Sequence, residues 1–224
     1  MSDFRVLLAP PGLGAADLAG LYAAPRQPWF RANMVSTVDG AAAGADGRSG
    51  TINNEIDTEV FHLLRAQADA IVVGAGTARA EGYRPTDKPL VVVTRTGAVP
   101  RTLLDAVPGS VLIATHAAAP ELAATRSKVG VDQVLLLGAD QVDLPRLRAV
   151  LVERGHANLL CEGGPGLLRD ALAAGIVDEI CLTWVPLLLA GETQRLVTGA
   201  PLELALRLGV LLESDGTLLG RWWT

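Results

Sequence analysis

The chain has 224 residues, half of them hydrophobic, and a formal net charge of −5 at pH 7. This length and apolar content are enough to bury one large core. The acidic balance predicts no nucleic-acid partner, because duplex binding depends on many clustered Lys and Arg residues. Without a secretory signal or an apolar run long enough to span a bilayer, we expect no membrane partner and a cytoplasmic location. Cys161 and Cys181 lie in apolar runs, as packed thiols do in a reducing compartment.

The chain begins with an arm marked by Pro and Gly, residues 1–28, which we expect to be irregular. From there, short apolar runs alternate with helix-type stretches, which predicts one α/β domain over residues 29–224. The predicted strands are 30–37, 70–73, 90–94, 111–115, 133–137, 158–162 and 179–185. Most are apolar throughout, as in parallel strands buried on both faces. Two further strands, 205–213 and 217–223, flank Ser214-Asp215-Gly216 and predict an antiparallel hairpin, so the sheet should be mixed.

Apolar residues at helical spacing predict the helices. The clearest stripe is Ile56, Val60, Leu63 and Leu64. Asn54 is its predicted cap, and Arg65 falls in its last turn. A second helix is predicted over about 164–174, with Gly175 as its left-handed stop. Further helices are expected over 120–128 and 145–154.

Two glycine-rich turns join an apolar strand to a helix. The first is Gly74-Ala75-Gly76-Thr77. Glycine lets the backbone approach a phosphate, and the free N–H groups of the following helix point at it. The dinucleotide fingerprint of Rossmann folds would need a third small residue where this chain has Arg79. The turn therefore indicates either a ligand contact or tight strand-to-helix packing.

The second turn is Glu162-Gly163-Gly164-Pro165-Gly166. It places a carboxylate at the carboxyl end of a strand, the edge where open α/β sheets bind ligands, and Pro165 where the first turn of a helix tolerates it. Glu162 is either a ligand-binding residue or a cap on the helix dipole.

A third strand ends in Thr94 and Arg95. A guanidinium matches phosphate geometry with paired N–H donors, so the 2′-phosphate of NADPH is one predicted partner of Arg95, and solvent is the alternative. The three histidines are scattered and neither cysteine has a zinc-type neighbour, so no metal site is predicted.

Taken in order, these motifs resemble the riboflavin-biosynthesis pyrimidine reductase family, the reductase domain of a bifunctional deaminase-reductase. The resemblance is carried by residues 33–40, the turn at Ser49 and residues 63–66, 74–77, 162–165 and 175–179. It implies a three-layer α/β/α domain of the dihydrofolate reductase type, with a mixed, mostly parallel sheet and a C-terminal antiparallel hairpin. It also implies NADPH as cofactor and a homodimer. The deaminase signature is missing from the chain, so we expect reductase activity alone.

The resemblance also implies which residues form the site. The implied cofactor-binding residues are Val35, Thr51, Gly74, Gly76, Thr77, Glu81, Thr94, Arg95, Gly163, Gly164, Pro165, Gly166, Leu167 and Leu168. Ser49, Arg65 and Glu162 are implied to bind substrate, and Asp39 and Glu162 to be catalytic. Asp39 has an alternative role in ordering the Asp39-Gly40 turn. The chain departs from the family at Thr51, where Trp is frequent, and at residues 81–85, where paired acids and Pro are frequent.

The reaction implied is reduction of 5-amino-6-(5-phosphoribosylamino)uracil to its ribitylamino product, with hydride delivered to the sugar carbon. Two alternatives stay open. In the first alternative, the substrate is a dihydrofolate or another pteridine. In the second, the protein is a non-catalytic paralogue that binds a nucleotide. If Arg65 holds the ribose phosphate, it distinguishes the phosphoribosyl substrate from an unphosphorylated pteridine. Otherwise it only complements the negative end of its helix.

Overall fold

The apolar runs pair into one large mixed sheet in the computed structural model, which describes residues 2–224. The strands are β1 (Arg5–Leu8), β2 (Trp29–Thr37), β3 (Ala70–Gly74), β4 (Leu90–Val93), β5 (Val111–Thr115), β6 (Val134–Leu136), β7 (Asn158–Cys161), β8 (Glu179–Val185), β9 (Arg207–Ser214) and β10 (Thr217–Trp223). The helices are α1 (Leu18–Leu21), α2 (Glu55–Gln67), α3 (Ala75–Ala80), α4 (Leu122–Val129), α5 (Leu144–Glu153) and α6 (Pro165–Ala173). None of the helices in this described range is long and apolar enough to cross a membrane.

Across the sheet the strand order is β1-β9-β10-β8-β2-β7-β3-β4-β5-β6. Strands β2 to β8 are parallel wherever two of them are neighbours in the sheet. The hairpin strand β10 is antiparallel to both β8 and β9, and β1 is antiparallel to β9. The predicted mixed, mostly parallel sheet with a C-terminal hairpin is confirmed.

Helices cover both faces of the sheet, which gives three layers. Along β3, Ala70 and Val72 pack in one core with side chains of α5 and α6, whereas Ile71 and Val73 pack in another with side chains of α3. This alternation follows from the two-residue period of a strand. On the same side as α3, α2 packs over the antiparallel part of the sheet. Burial on both faces is the reason that the central strands carry so few polar residues.

The helix termini follow the sequence signals. Asn54 caps α2, because its Oδ1 accepts a hydrogen bond of 2.9 Å from the Asp57 backbone N–H. Pro165 stands in the first turn of α6, and Gly175 after it has a φ of 65°. The arm differs from expectation, since residues 5–8 form β1 and residues 18–21 form α1. β1 has a largely exposed burial pattern, so its pairing with β9 depends on backbone hydrogen bonds that a hydrophobic pattern does not reveal.

A buried ionic network ties this arm to the sheet. Glu179 on β8 is fully buried and accepts hydrogen bonds from Arg31 of β2 and, at 2.6 Å, from Arg221 of β10. Both arginines also donate to backbone carbonyl oxygens in the α1 region, at residues 21–23. Burial alone would raise the pKa of Glu179, but the two guanidinium groups hold that pKa below its ordinary value.

Replacing Glu179 with Gln should therefore destabilise the fold strongly. The Glu179→Gln variant leaves two buried guanidinium groups without a counter-charge, and the free energy of unfolding should fall by about 3–5 kcal/mol in urea denaturation. Glu153→Gln is the matched control, because Glu153 pairs with Arg146 on the surface and its loss should cost less than about 1 kcal/mol. Equal losses in the two variants would show that the network contributes little.

Candidate active site

The carboxyl ends of the central strands open on one cavity of about 1550 Å³. Its wall includes Val35 on β2, Gly74 at the end of β3, Thr94 after β4 and Glu162 after β7. These residues meet because parallel strands present their carboxyl ends at the same edge of a sheet. Single small-molecule sites usually measure roughly 300–1,000 Å³. This cavity therefore has room for a dinucleotide and a second, smaller ligand.

The two glycine turns touch each other at this edge. The Gly74 N–H donates to the Gly163 carbonyl oxygen at 2.7 Å, and a Cβ at Gly74 would lie 3.3 Å from the Gly164 nitrogen. A Cβ at Gly164 would lie 2.2 Å from Oγ1 of Thr77. Gly74 and Gly164 are therefore needed for packing between the turns.

Gly76 and Gly166 have a different surrounding. Both are exposed and line the cavity, and a Cβ at either would have no described atom within 4 Å. Gly166 lies in the first turn of α6, where no side chain caps the free N–H groups. Backbone donors at the start of a helix favour an anionic group such as a pyrophosphate. Each glycine turn thus has one residue that packs and one that faces a ligand.

Glu162, Arg65 and Tyr83 form one hydrogen-bonded unit in the wall. Arg65 donates from Nε and Nη2 to the two oxygens of Glu162, at 2.7 Å each, and the Tyr83 hydroxyl donates to Oε2 at 2.5 Å. The guanidinium carbon of Arg65 also lies 4.3 Å from the ring centroid of Phe61. Burial and the adjacent Glu162 carboxylate raise the pKa of Tyr83 well above its ordinary value, so the phenol stays a neutral donor. Glu162 therefore holds two side chains of the wall in place.

Ser49 and Glu81 form a second pair in the wall. The backbone N–H and the hydroxyl of Ser49 both donate to Oε1 of Glu81, at 2.7 and 2.9 Å. The carboxylate of Glu81 thereby fixes the short turn that carries Ser49. The two residues were assigned to different ligands from the sequence, but the structure joins them.

Comparison with known proteins shows which family this chain belongs to. Residues 28–217 match the family model described as the RibD C-terminal domain. The chain belongs to this family. It is 34% identical over 191 residues to the 2,5-diamino-6-ribosylamino-4(3H)-pyrimidinone 5′-phosphate reductase of Methanothermobacter thermautotrophicus, covering 79% of this chain and 87% of that protein. The resemblance proposed from the sequence is confirmed.

Solved structures support the same family and fold. A pyrimidine reductase-like protein from Corynebacterium diphtheriae has a TM-score of 0.77 at 26% identity, over 88% of this chain and 91% of that one. Dihydrofolate reductase from Enterococcus faecalis, at 11% identity, has a TM-score of 0.51 over 88% of this chain and 96% of that one. The second comparison shows the fold alone, and it confirms the predicted dihydrofolate reductase type.

Most residues that the sequence assigned to the site line the cavity of this RibD-type domain, and four do not. The four are Asp39, Thr51, Gly163 and Leu168. Thr51 is exposed and donates to the Arg48 carbonyl oxygen at 2.9 Å, while Leu168 is buried in the core. Gly163 serves the contact between the turns through its carbonyl oxygen.

Asp39, the predicted catalytic carboxylate, is exposed in a turn outside the cavity. It accepts hydrogen bonds from the Thr37 hydroxyl at 2.5 Å and from the Leu189 N–H at 3.2 Å. The bond from Thr37 holds the pKa of Asp39 below its ordinary value. These contacts agree with the alternative, in which Asp39 orders the turn after β2, and its catalytic role stays a prediction.

Asp57 is a cavity residue that the sequence reasoning missed. It is 4% exposed, and among residues 2–224 no donor lies within hydrogen-bonding distance of its Oδ1. Burial raises the pKa of Asp57 to about 6, and the neighbouring Thr183 hydroxyl opposes this rise only in part. A signal was available, because Asp57, Phe61 and Arg65 recur every four residues and so share one face of α2. In the described part of the chain, no group of three His, Cys, Asp or Glu residues could hold a metal ion.

The buried carboxyl of Asp57 should make stability depend on pH. Its pKa of about 6 in the folded state exceeds the ordinary 3.8, so the folded protein binds the proton more tightly than the unfolded chain. The free energy of unfolding should then fall by about 3 kcal/mol as pH rises from about 4 to 6. Asp57→Asn carries no proton to lose, so the variant should be more stable than wild type above pH 6 but not below pH 4. Urea denaturation across this range measures the difference, and parallel curves for the two proteins would contradict it.

Proposed function

We propose that this protein is an NADPH-dependent reductase of riboflavin biosynthesis, which converts the ribosylamino group of a phosphorylated pyrimidine into a ribitylamino group. The observation that carries the proposal is the single cavity, which joins the free N–H groups of α6 to the unit of Arg65, Glu162 and Tyr83. The Methanothermobacter relative is named for a 2,5-diaminopyrimidinone, and the sequence resemblance implies the corresponding uracil.

The residues on one side of the cavity fit a dinucleotide. Gly76 and Gly166 leave space that a Cβ would fill, and Val35 and Thr94 line the same cavity. Arg95 is exposed in the wall and, among the described residues, has no carboxylate within salt-bridge distance. Its guanidinium would meet the 2′-phosphate, while the start of α6 would meet the pyrophosphate. NADPH, when bound, supplies the hydride.

On the other side, the chain contributes charge and orientation. Arg65 is the guanidinium for the ribose phosphate, and Ser49 adds a hydroxyl close to the same wall. Glu162 accepts three hydrogen bonds from protein side chains, so its role is to position Arg65 and Tyr83 rather than to take a proton. Fixing the substrate's sugar against the cofactor is the main contribution that such a site makes to hydride transfer.

The cofactor preference should depend on Arg95. If Arg95 pairs with the 2′-phosphate, NADPH should bind more tightly than NADH by about 1.5–3 kcal/mol, the range for a charged hydrogen bond. Arg95→Ala should shrink this gap, and Arg101→Ala should not, because Arg101 is exposed away from the cavity. Titration calorimetry with both cofactors measures the gap. Equal affinities of the wild type for the two cofactors would remove Arg95 from the site.

Cofactor binding should also depend on the open space at Gly166. The Gly166→Val variant places a branched side chain in the cavity, and its Cβ would have no atom of a non-neighbouring residue within 4 Å, so it should fold and lose at least about tenfold in NADPH affinity. Gly14→Val is the control, since Gly14 also has free space around its Cβ but lies outside the cavity. Gly164→Val is less informative because of its contact with Thr77. Normal NADPH binding by a folded Gly166→Val protein would show that this turn is structural only.

We also propose a homodimer located in the cytoplasm, on the strength of the family resemblance. The side chains of Leu202, Leu204 and Leu206 are all exposed in the segment before β9. An apolar patch of this kind is typical of a surface that a partner covers.

A further inference from the structure

Tyr83 is held in the cavity wall by three separate contacts. Its backbone N–H donates to the Ala78 carbonyl oxygen at 2.9 Å, and its ring packs against the core cluster that contains Ile71. Its hydroxyl donates to Oε2 of Glu162 at 2.5 Å. Gly82, with a φ of 68°, makes the turn between α3 and Tyr83 in a conformation that favours glycine. Backbone, ring and hydroxyl together fix the position of this phenol.

The Tyr83 hydroxyl fills the last acceptor position on one oxygen of Glu162. A carboxylate oxygen accepts about two hydrogen bonds. Oε2 accepts one from Nη2 of Arg65 and one from Tyr83, whereas Oε1 accepts one from Nε of Arg65. The Glu162 side chain is only 3% exposed, so Oε2 without the phenol would be a buried acceptor with an unmet lone pair. The phenol therefore covers negative charge in the wall of the cavity.

The surroundings of Arg65 restrict how it can meet a ligand. Its guanidinium carbon lies 4.3 Å from the ring centroid of Phe61 and 5.6 Å from that of Tyr83. Nε and Nη2 are committed to Glu162, and within residues 2–224 no acceptor lies at hydrogen-bonding distance from Nη1. The side chain as a whole is 25% exposed. Nη1 is therefore the edge of the guanidinium that is available to a ligand.

Tyr83 adds a donor to this unit without adding a charge. Burial and the adjacent Glu162 carboxylate raise the pKa of Tyr83 well above its ordinary value, so the phenol keeps its proton. Hydrogen bonds to a charged group are strong, and bonds within a network polarise one another. The phenol thus draws negative charge of Glu162 toward itself and weakens the neutralisation of Arg65. The guanidinium edge then attracts an anion more strongly than a simple Arg–Glu pair would.

We propose that the Tyr83 hydroxyl positions the anchor for the substrate's phosphate, by holding Glu162 so that Nη1 of Arg65 is presented to the 5′-phosphate of the sugar. Tyr83 thereby determines the preference for a phosphorylated substrate over its unphosphorylated counterpart. The family resemblance implies no role for Tyr83, which lies in the segment 81–85 that departs from the family pattern. This inference rests on the proposed function and on its assignment of Arg65 to the phosphate.

Removing the hydroxyl should affect an anionic ligand more than a neutral one. In Tyr83→Phe the ring still packs against the core, but Oε2 of Glu162 loses a donor. The freed lone pair repels a phosphate, and the carboxylate neutralises Arg65 more completely. A ligand without a phosphate is subject to neither effect.

The test is the steady-state kinetics of wild type and Tyr83→Phe. The substrates are 2,5-diamino-6-ribosylamino-4(3H)-pyrimidinone 5′-phosphate and the same compound without its phosphate, with NADPH oxidation as the signal. For the phosphorylated substrate, KM should rise about tenfold or more, while kcat and the KM for NADPH should change less than about twofold. For the unphosphorylated compound, kcat/KM should change less than about threefold.

Tyr22→Phe is the matched control. It removes the hydroxyl of the chain's other tyrosine, which is buried and lies outside the cavity. This variant should leave the preference for the phosphorylated substrate unchanged. Circular dichroism and urea denaturation check that both variants are folded.

A double-mutant cycle with Arg65→Lys shows whether Tyr83 acts through Arg65. Lysine keeps the positive charge but cannot make the paired bonds to Glu162. In this background, Tyr83→Phe should change the preference for the phosphate by less than about threefold. Full additivity of the two substitutions would show that Tyr83 acts independently of Arg65, and it would overturn the inference.

The outcomes separate this inference from the proposed function. If Tyr83→Phe changes both substrates by the same factor, or lowers kcat without raising KM, Tyr83 is structural and the inference is wrong while the reductase stands. If wild type reduces neither compound, the proposed function fails. Calorimetry with ribose 5-phosphate, in excess NADP⁺ to occupy the cofactor side, then tests the inference by itself. Ribose 5-phosphate should bind wild type and bind Tyr83→Phe about tenfold more weakly. Equal affinities, or no binding to wild type, would overturn the inference.

Discussion

The backbone hydrogen bond from the Gly74 N–H to the Gly163 carbonyl oxygen is the contact on which the site depends. It joins the turns after β3 and β7, which are neighbours in the sheet although the 83 residues 75–157 separate them in the chain. The approach is too close for a Cβ at Gly164 without a shift of Thr77. The same contact fixes where α6 begins and where Glu162 leaves its strand. The cavity wall is thus determined by backbone packing before any side chain is considered.

Glu162 and Asp57 are both buried acids in this wall, but their electrostatic surroundings differ. Glu162 accepts three hydrogen bonds, and its charge is balanced by Arg65. Asp57 has no counter-charge among residues 2–224, and its burial raises its pKa to about 6. A buried acid whose hydrogen bonds are satisfied is tolerated, whereas a buried acid without a counter-charge costs stability at the pH where it ionises. The hydrogen bonds of Glu162 therefore support a positioning role, and Asp57 makes the stability of the fold depend on pH.

Much of the fold could be predicted from the sequence because its signals are local. Continuous apolar runs predicted the buried parallel strands, and Asn54 and Gly175 marked helix ends through backbone chemistry. β1 could not be found in this way, since an exposed edge strand has no buried face to produce a pattern. The site was harder, because it depends on contacts between distant segments. Asp39 and Asp57 look alike in sequence, and only the turn after β2 and the inward face of α2 distinguish them.

The departures from the family pattern acquire a physical meaning in the structure. Within residues 81–85, where the family often has paired acids and Pro, Glu81 anchors Ser49 and Tyr83 completes the hydrogen bonding of Glu162. Both side chains are part of the cavity wall and make their hydrogen bonds to protein groups. Although this segment differs from the family, it still holds Ser49, Arg65 and Glu162 in place. This supports the proposal that the protein catalyses the reaction of its family. Thr51 has no such compensation, because it turns away from the cavity toward Asp46. Thr51 therefore adds no contact to the cavity wall, whereas Glu81 and Tyr83 both line it.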